Sequence, residues 1–228
     1  SYLYLGVAQY QLGQAGKAGM YDAAAATLDT LMSKYPEGKY GSDAMFYRAE
    51  CFYMQGKKQE AAALYAQFLA KYPTHKFVAD ATYALGVSQE ETGQMEAAGK
   101  TYDAFLARFP ENRLVAEVVM RRGMKLSAGG AHAQAVPWLA NAAAREGFAS
   151  ADLALLRQAE AMMHLKQYAE AAAVFASLPA KHPRSAHVPR ARLLAGRCLY
   201  LAGSFAEARK TLEPLLAGPG AAEAAHWI

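Results

Sequence analysis

At 228 residues, 54% of them hydrophobic, the chain has enough apolar side chains for a large core. Its formal charge of +4 is too small to argue for nucleic-acid binding, and no interleaving of aromatic and basic residues supports it. There is no run of 18 apolar residues, which excludes a transmembrane helix, and no basic-apolar leader.

In chain order, residues 1–6 (Ser1-Tyr2-Leu3-Tyr4-Leu5-Gly6) already read as part of a first helix. About six extra residues between Gly13 and Tyr21 predict a longer turn there than anywhere later. Helix pairs follow near 42–55/58–72, 78–92/95–109, 115–128/131–145, 151–165/168–181 and 187–202/205–217, and residues 221–228 begin another helix. The copy at 79–110 shows why. Ala81, Tyr83, Leu85 and Val87 are spaced as on one helix, Gly93 ends it, and Met95, Ala98, Tyr102, Phe105 and Phe109 recur at three- and four-residue steps until Pro110 stops the second. No segment alternates with the two-residue period of a strand.

The pairs keep a common beat. Tyr35-Pro36, Tyr72-Pro73 and Phe109-Pro110 are spaced by 37 residues, and His182-Pro183 lies 73 beyond the last of these. In the same phase run small residues at Ala49, Gly86, Gly123, Ala159 and Gly196, turn residues at Gly56, Gly93, Gly130, Lys166 and Gly203, and alanines at Ala61, Ala98, Ala135, Ala171 and Ala208. A period of this length means stacked supersecondary units. Mid-helix glycine costs about 1 kcal/mol against alanine, so its recurrence requires a close helix–helix contact.

Ala81-Thr82-Tyr83-Ala84-Leu85-Gly86, followed by Gly93, Ala98, Tyr102, Phe105 and Pro110, resembles the tetratricopeptide repeat (TPR). The resemblance extends over 44–73, 191–216 and, more loosely, 154–183. It implies an all-α, right-handed α-solenoid superhelix of about six helix-turn-helix repeats, near 1–36, 42–73, 79–110, 116–147, 152–183 and 189–219, forming one elongated domain over 1–228. The longer loop and the Tyr-Pro ending resemble the subgroup found in bacterial cell-envelope proteins, such as outer-membrane assembly lipoproteins and cell-division coordinators. A periplasmic or envelope-associated location is therefore expected, with the cytoplasm as the alternative. Neither end carries a polar capping unit, so a longer chain is expected. Two units depart from the pattern: 116–147 lacks its closing proline and carries Pro137, which should bend or delay its second helix, and Pro214 should bend or cut short the last complete helix.

Cys51 and Cys198 each lie two residues beyond the small residue of their helix, four units apart. They are expected to be buried, separate and reduced, because a disulfide needs Cα atoms within about 7 Å.

No motif calls for an enzyme, a cofactor or a metal. Residues 13–19 suggest a phosphate loop but lack its first glycine, the Ser or Thr after Lys17 and a preceding strand. His182 and His187 have no Cys, Asp or Glu close by to complete a metal site. His164 with Glu160 reads as a groove-lining polar pair, and Ser88 and Ser127 have no His or acid at a telling spacing. Asp43, Asp80 and Glu117 sit where they offset the dipole of a first helix.

The TPR resemblance makes the first helix of each pair the inner one. Residues two before, one after and five after the small residue then share a stripe: Tyr47, Glu50 and Met54; Ala84, Val87 and Glu91; Arg121, Met124 and Ala128; Arg157, Glu160 and His164; Leu194, Arg197 and Leu201. The paired Lys and Asn with which some family members hold a carboxylate are absent from it. Residues 1–115 carry 11 Lys/Arg against 12 Asp/Glu, and residues 116–228 carry 13 against 8. The expected function is a protein or peptide scaffold whose partner is acidic. A structural spacer or self-assembly module, or an accessory domain of a larger enzyme, are the alternatives.

Overall fold

The computed structural model describes residues 1–218 and 221–228. Its elements are α1 (Tyr2–Gln14), α2 (Met20–Lys34), α3 (Gly41–Met54), α4 (Lys58–Lys71), α5 (Val78–Glu91), α6 (Met95–Arg108), α7 (Val115–Ala128), α8 (His132–Ala143), α9 (Ala151–His164), α10 (Tyr168–Lys181), α11 (Val188–Leu201), α12 (Phe205–Leu212), a 3-10 turn (Glu213–Leu215) and α13 (Ala221–His226). No strand occurs among the described residues. The helix pairs fall within two residues of their predicted bounds, except that α12 ends at Leu212, five residues before the predicted 217. The predicted close of the last repeat, at residue 219, lies outside the described residues.

The chain divides into two compact units, Ser1–Asn112 with α1–α6 and Arg113–Ile228 with α7–α13. In each, consecutive helices pack antiparallel-neighbour fashion, α1 also touches α3, and α7 also touches α9. Within the units α2, α4, α8 and α10 therefore each lie between two first helices, and the apolar side chains of the second helices fill the layers. Tyr65, Phe68, Tyr102 and Phe105 in the N-terminal unit, and Leu139, Phe175, Leu178 and Leu212 in the C-terminal unit, are all almost fully buried. At roughly 1.5–3 kcal/mol for each such side chain, these layers dominate the stability of helices whose starts have no side-chain cap.

The small residue of each first helix faces the large one of its partner with no clearance. A Cβ built on Gly86 would overlap the Tyr102 ring, and one on Gly196 would overlap Leu212. One on Gly123 would lie 2.8 Å from Leu139 Cγ, and one on Gly6 2.8 Å from Leu28 Cδ2. Ala49 and Ala159, in the clusters of Tyr65 and Phe175, are wholly buried in the same role. Turns between the paired helices need a left-handed residue, supplied by Gly56, Gly93, Gly130 and Gly203 at φ +78 to +81°, and in the fifth pair by Lys166 at φ +60°.

The six extra residues of the first pair are only partly loop. Gly6 to Leu28 spans 22 positions where Gly86 to Tyr102 spans 16. The connection at 15–19 is five residues against three elsewhere, and the rest lengthens α1 and α2. Gly13 thereby becomes a second close contact, its added Cβ 2.8 Å from the Tyr21 ring. Pro137 does not delay α8, which starts in phase at His132 and runs through it to Ala143. Pro214 does cut α12 short, at Leu212, with a 3-10 turn beyond.

The acids at the starts of first helices do more than offset the dipole. Asp43 is paired with Lys76 Nζ at 2.8 Å and lies 3.5 Å from His75 Nε2, both in the loop that follows α4. Asp152 accepts from Ser185 in the loop after α10 and from the Leu153 amide. Burial alone would push the Asp152 carboxyl up, but these hydrogen bonds and the nearby His187 and His182 hold it below its ordinary value. One polar knot ties three helices of the N-terminal unit. Glu50 on α3 accepts from Tyr10 Oη at 2.9 Å and from Tyr65 Oη at 2.6 Å. Burial, then the Glu50 charge and its hydrogen bonds, push both tyrosines far up.

Three outcomes follow from this packing. Gly86→Leu is expected to destabilise by at least about 1–3 kcal/mol, read as a fall in thermal midpoint; an unchanged midpoint would show that the contact yields. Lys166→Gly relieves left-handed strain and is expected to stabilise by about 1 kcal/mol, seen in denaturant unfolding. The raised pKa values of Tyr10 and Tyr65 stabilise the fold fully below the unfolded tyrosine pKa of about 10, and that stability is lost as pH rises above it. In an alkaline titration followed at 295 nm with helicity in parallel, two of the 14 tyrosines should ionise only as helix is lost.

Candidate functional site

The stripe must be built unit by unit. At about 100° per residue, the residue one beyond the small contact points nearly along the helix–helix seam, whereas the one five beyond is turned outward. In the N-terminal unit this removes most of the candidates from solvent. Val87 is 5% exposed and belongs to the core, and the Glu50 carboxylate is engaged by two tyrosines. Glu91 accepts from Tyr53 Oη at 2.8 Å and pairs with Lys58 Nζ at 3.1 Å. Tyr47 is half-buried in edge contacts with Tyr10, Phe46 and Phe77. Met54 alone is an exposed, unengaged surface. A separate cavity of about 660 Å³, lined by Tyr2, Leu5, Leu31, Tyr35 and Tyr40, contains none of the stripe residues and offers little polar chemistry.

The C-terminal unit is different. Arg157, Glu160 and His164 of α9 and Arg197 of α11 line one cavity of about 860 Å³, together with Pro214, Leu215 and Glu223. Arg121 and Met124 of α7 stand outside it, and Arg121 donates to Glu117 Oε1 at 2.9 Å one turn back. Glu160 is the hub. Its Oε2 accepts from Arg157 Nη1 at 2.8 Å and its Oε1 from Arg190 Nη2 at 2.7 Å. Among the described residues Arg197 has no ion-pair partner, and its Cζ lies 4.9 Å over the Trp227 ring. The buried Nε atoms of Arg157 and Arg197 have no acceptor among the described residues.

Two features escape sequence reasoning. Arg190 stands two residues after the start of α11, where α3, α5 and α7 carry Asp43, Asp80 and Glu117; that reversal of sign is the signal that marks it. Ser127 does have a histidine partner. The turn at 129–131 brings His132 Nδ1 to 3.0 Å from Ser127 Oγ, and His132 stacks on His164 at 4.4 Å with only 6° between the rings. These contacts brace the α7–α8 turn against α9. Among the described residues no three His, Cys, Asp or Glu side chains cluster to hold a metal ion, and no helix is long and apolar enough to cross a membrane. Cys51 and Cys198 are buried and free, their thiols pushed up by burial to about 12 and about 11.

No curated protein matches the chain significantly. Solved structures do. A tetratricopeptide repeat protein from Parabacteroides merdae is similar at 19% identity and TM-score 0.69, covering 95% of this chain and 79% of its own. The C-terminal part of a TPR repeat-containing protein from Cytophaga hutchinsonii is similar at 15% identity and TM-score 0.75, covering 95% and 78%. YrrB, described as a TPR protein with an unusual peptide-binding site, is similar at 17% identity and TM-score 0.69, covering 89% and 97%. The family model for the tetratricopeptide repeat matches residues 1–38, 43–75, 80–112 and 153–185. It passes over the pairs with Pro137 and Pro214, although Gly123–Leu139 and Gly196–Leu212 repeat the same contact there. With more than half its length matched and the helix-turn-helix unit running through the unmatched parts as well, the chain belongs to the tetratricopeptide-repeat family.

Proposed function

We propose that this chain is a non-catalytic scaffold that grips a protein or peptide partner in the arginine-lined groove of its C-terminal unit. TPR proteins bind protein or peptide partners, and a protein of similar fold, YrrB, is described as having a peptide-binding site. One observation carries the reading to a place: Arg157, Glu160, His164 and Arg197 share one cavity walled by α9 and α11. Arg, Met and aromatic side chains are the types enriched in binding surfaces, and the surplus of positive charge in residues 116–228 suits an acidic partner.

The N-terminal unit supports a second role beside this one. Its stripe is spent on internal contacts of Glu50, Val87 and Glu91, which suits a structural spacer. We also propose an envelope location, on the strength of the Tyr-Pro loops; fractionation of cells producing the tagged protein tests it, and recovery in the cytosolic fraction alone would reverse it.

For a partner recovered by pull-down, the Arg157→Ala, Arg197→Ala double variant is expected to bind at least tenfold more weakly by titration, with a flatter salt dependence. Arg121→Ala, outside the cavity, should change affinity less than twofold. Binding that survives the double change but is lost on altering Arg209 of α12 would move the interface to the second helices.

A further inference from the structure

Building on the groove reading above, we propose that the α9–α11 cavity selects a peptide segment bearing one side-chain carboxylate among aliphatic or aromatic residues, with Arg197 as the partner of that carboxylate. Counting charges at the cavity leads there. Arg157 and Arg190 share Glu160, one on each carboxylate oxygen, at 2.8 and 2.7 Å. They are therefore held in place by it, and the trio together keeps a single positive charge. Arg197 is the guanidinium left over. Trp227 covers it at 4.9 Å, a contact that uses the cation's face and leaves N–H donors for a forked carboxylate. Its Nε is buried without an acceptor among the described residues, which leaves the terminal nitrogens to meet a ligand carboxylate.

The same residues argue against more highly charged ligands. Glu223 lies on the cavity wall with Glu160, so the three arginines exceed the acids by one. A phosphate, with close to two charges, or a run of acidic residues would place its excess against those two carboxylates. Apart from His164 the remaining lining is apolar, contributed largely by Met163, Leu193, Leu194, Pro214 and Leu215, which suits aliphatic or aromatic neighbours on the ligand. A side-chain carboxylate fits better than a chain terminus. Terminal carboxylates are captured by free backbone N–H groups or, in some TPR proteins, by paired Lys and Asn; this wall is lined by neither Lys nor Asn, most of it is helix interior, and at the exposed first turn of α11 Pro189 removes a donor.

The test uses a library of acetylated, C-terminally amidated octapeptides selected on the full chain. The expected result is enrichment of sequences with a single Asp or Glu flanked by Leu, Ile or Phe. For the best peptide, anisotropy titration should show at least a tenfold loss when its acid becomes the amide, and a similar loss on Arg197→Met, a change that keeps the aliphatic stem over Trp227. Glu160→Gln should shift selection towards diacidic or phosphorylated peptides, an effect a merely structural role for Glu160 would not give. Circular dichroism confirms that the variants are folded.

Enrichment of purely apolar peptides that is abolished by Leu193→Ser would overturn the carboxylate assignment and leave the groove itself standing. Equal binding of acid and amide peptides by wild type and Arg197→Met would do the same. Selection of free C-terminal acids over amidated peptides, in a parallel library with free ends, would overturn the choice of a side chain. Failure of every peptide to bind would overturn both the proposal and the groove reading.

Discussion

The lack of space between paired helices at one recurring position governs the rest of the molecule. Where a first helix crosses its partner, Gly6, Gly86, Gly123 and Gly196 leave room only for a hydrogen, and Leu28, Tyr102, Leu139 and Leu212 take all the rest. That contact sets the depth at which each second helix lies, and so which of its residues reach the next first helix. It also makes the units interchangeable in form. A pair with Pro137 in its second helix and a pair cut short at Pro214 both keep the crossing, and both keep the helix starts in phase. Packing decides these helices more than end effects do, in line with the marginal stability of isolated helices of this length.

The pairs are legible in the sequence because small residue, turn residue, alanine and proline report four different constraints at one period. What is less legible is anything that depends on how far a side chain is rotated from the crossing. Val87 and Glu50 share a heptad-like stripe with Met54 and Glu91, yet the first is core and the second is held by Tyr10 and Tyr65. A residue about 100° from a contact lies at the edge of burial, and the size of its neighbours decides the matter. The turns hide a second kind of information. Ser127 and His132 are five apart, a spacing that no helix face brings together, and only the Gly130 turn makes them partners. The same holds for Asp43 with Lys76 and Asp152 with Ser185, more than thirty positions apart.

Polar residues are used in opposite ways by the two units. In the N-terminal unit, carboxylates on the first helices are satisfied by tyrosine hydroxyls and a lysine, so the polar groups close on themselves. In the C-terminal unit Glu160 draws two arginines together while a third remains unpaired, and Arg190 occupies a position that three other helices give to an acid. The cavity between α9 and α11 is accordingly lined by arginines, whereas the one at Tyr2, Leu31 and Tyr40 is mainly apolar. A repeat architecture permits this because each layer depends mainly on its immediate neighbours, so one layer can change its surface chemistry while the others keep theirs.

The cysteines give this division a practical side. Each compact unit holds a single thiol, Cys51 in one and Cys198 in the other, both fully shielded and both poorly acidic. The thiolate is the form that reacts with alkylating agents and oxidants, so in the closed fold both sulfurs are kept from such reagents twice over, by exclusion and by protonation. Either becomes reactive only when its own layers part. The rates at which the two are modified thus report the opening of each half separately, and a ligand held between α9 and α11 would slow the reaction of Cys198 while leaving that of Cys51 untouched.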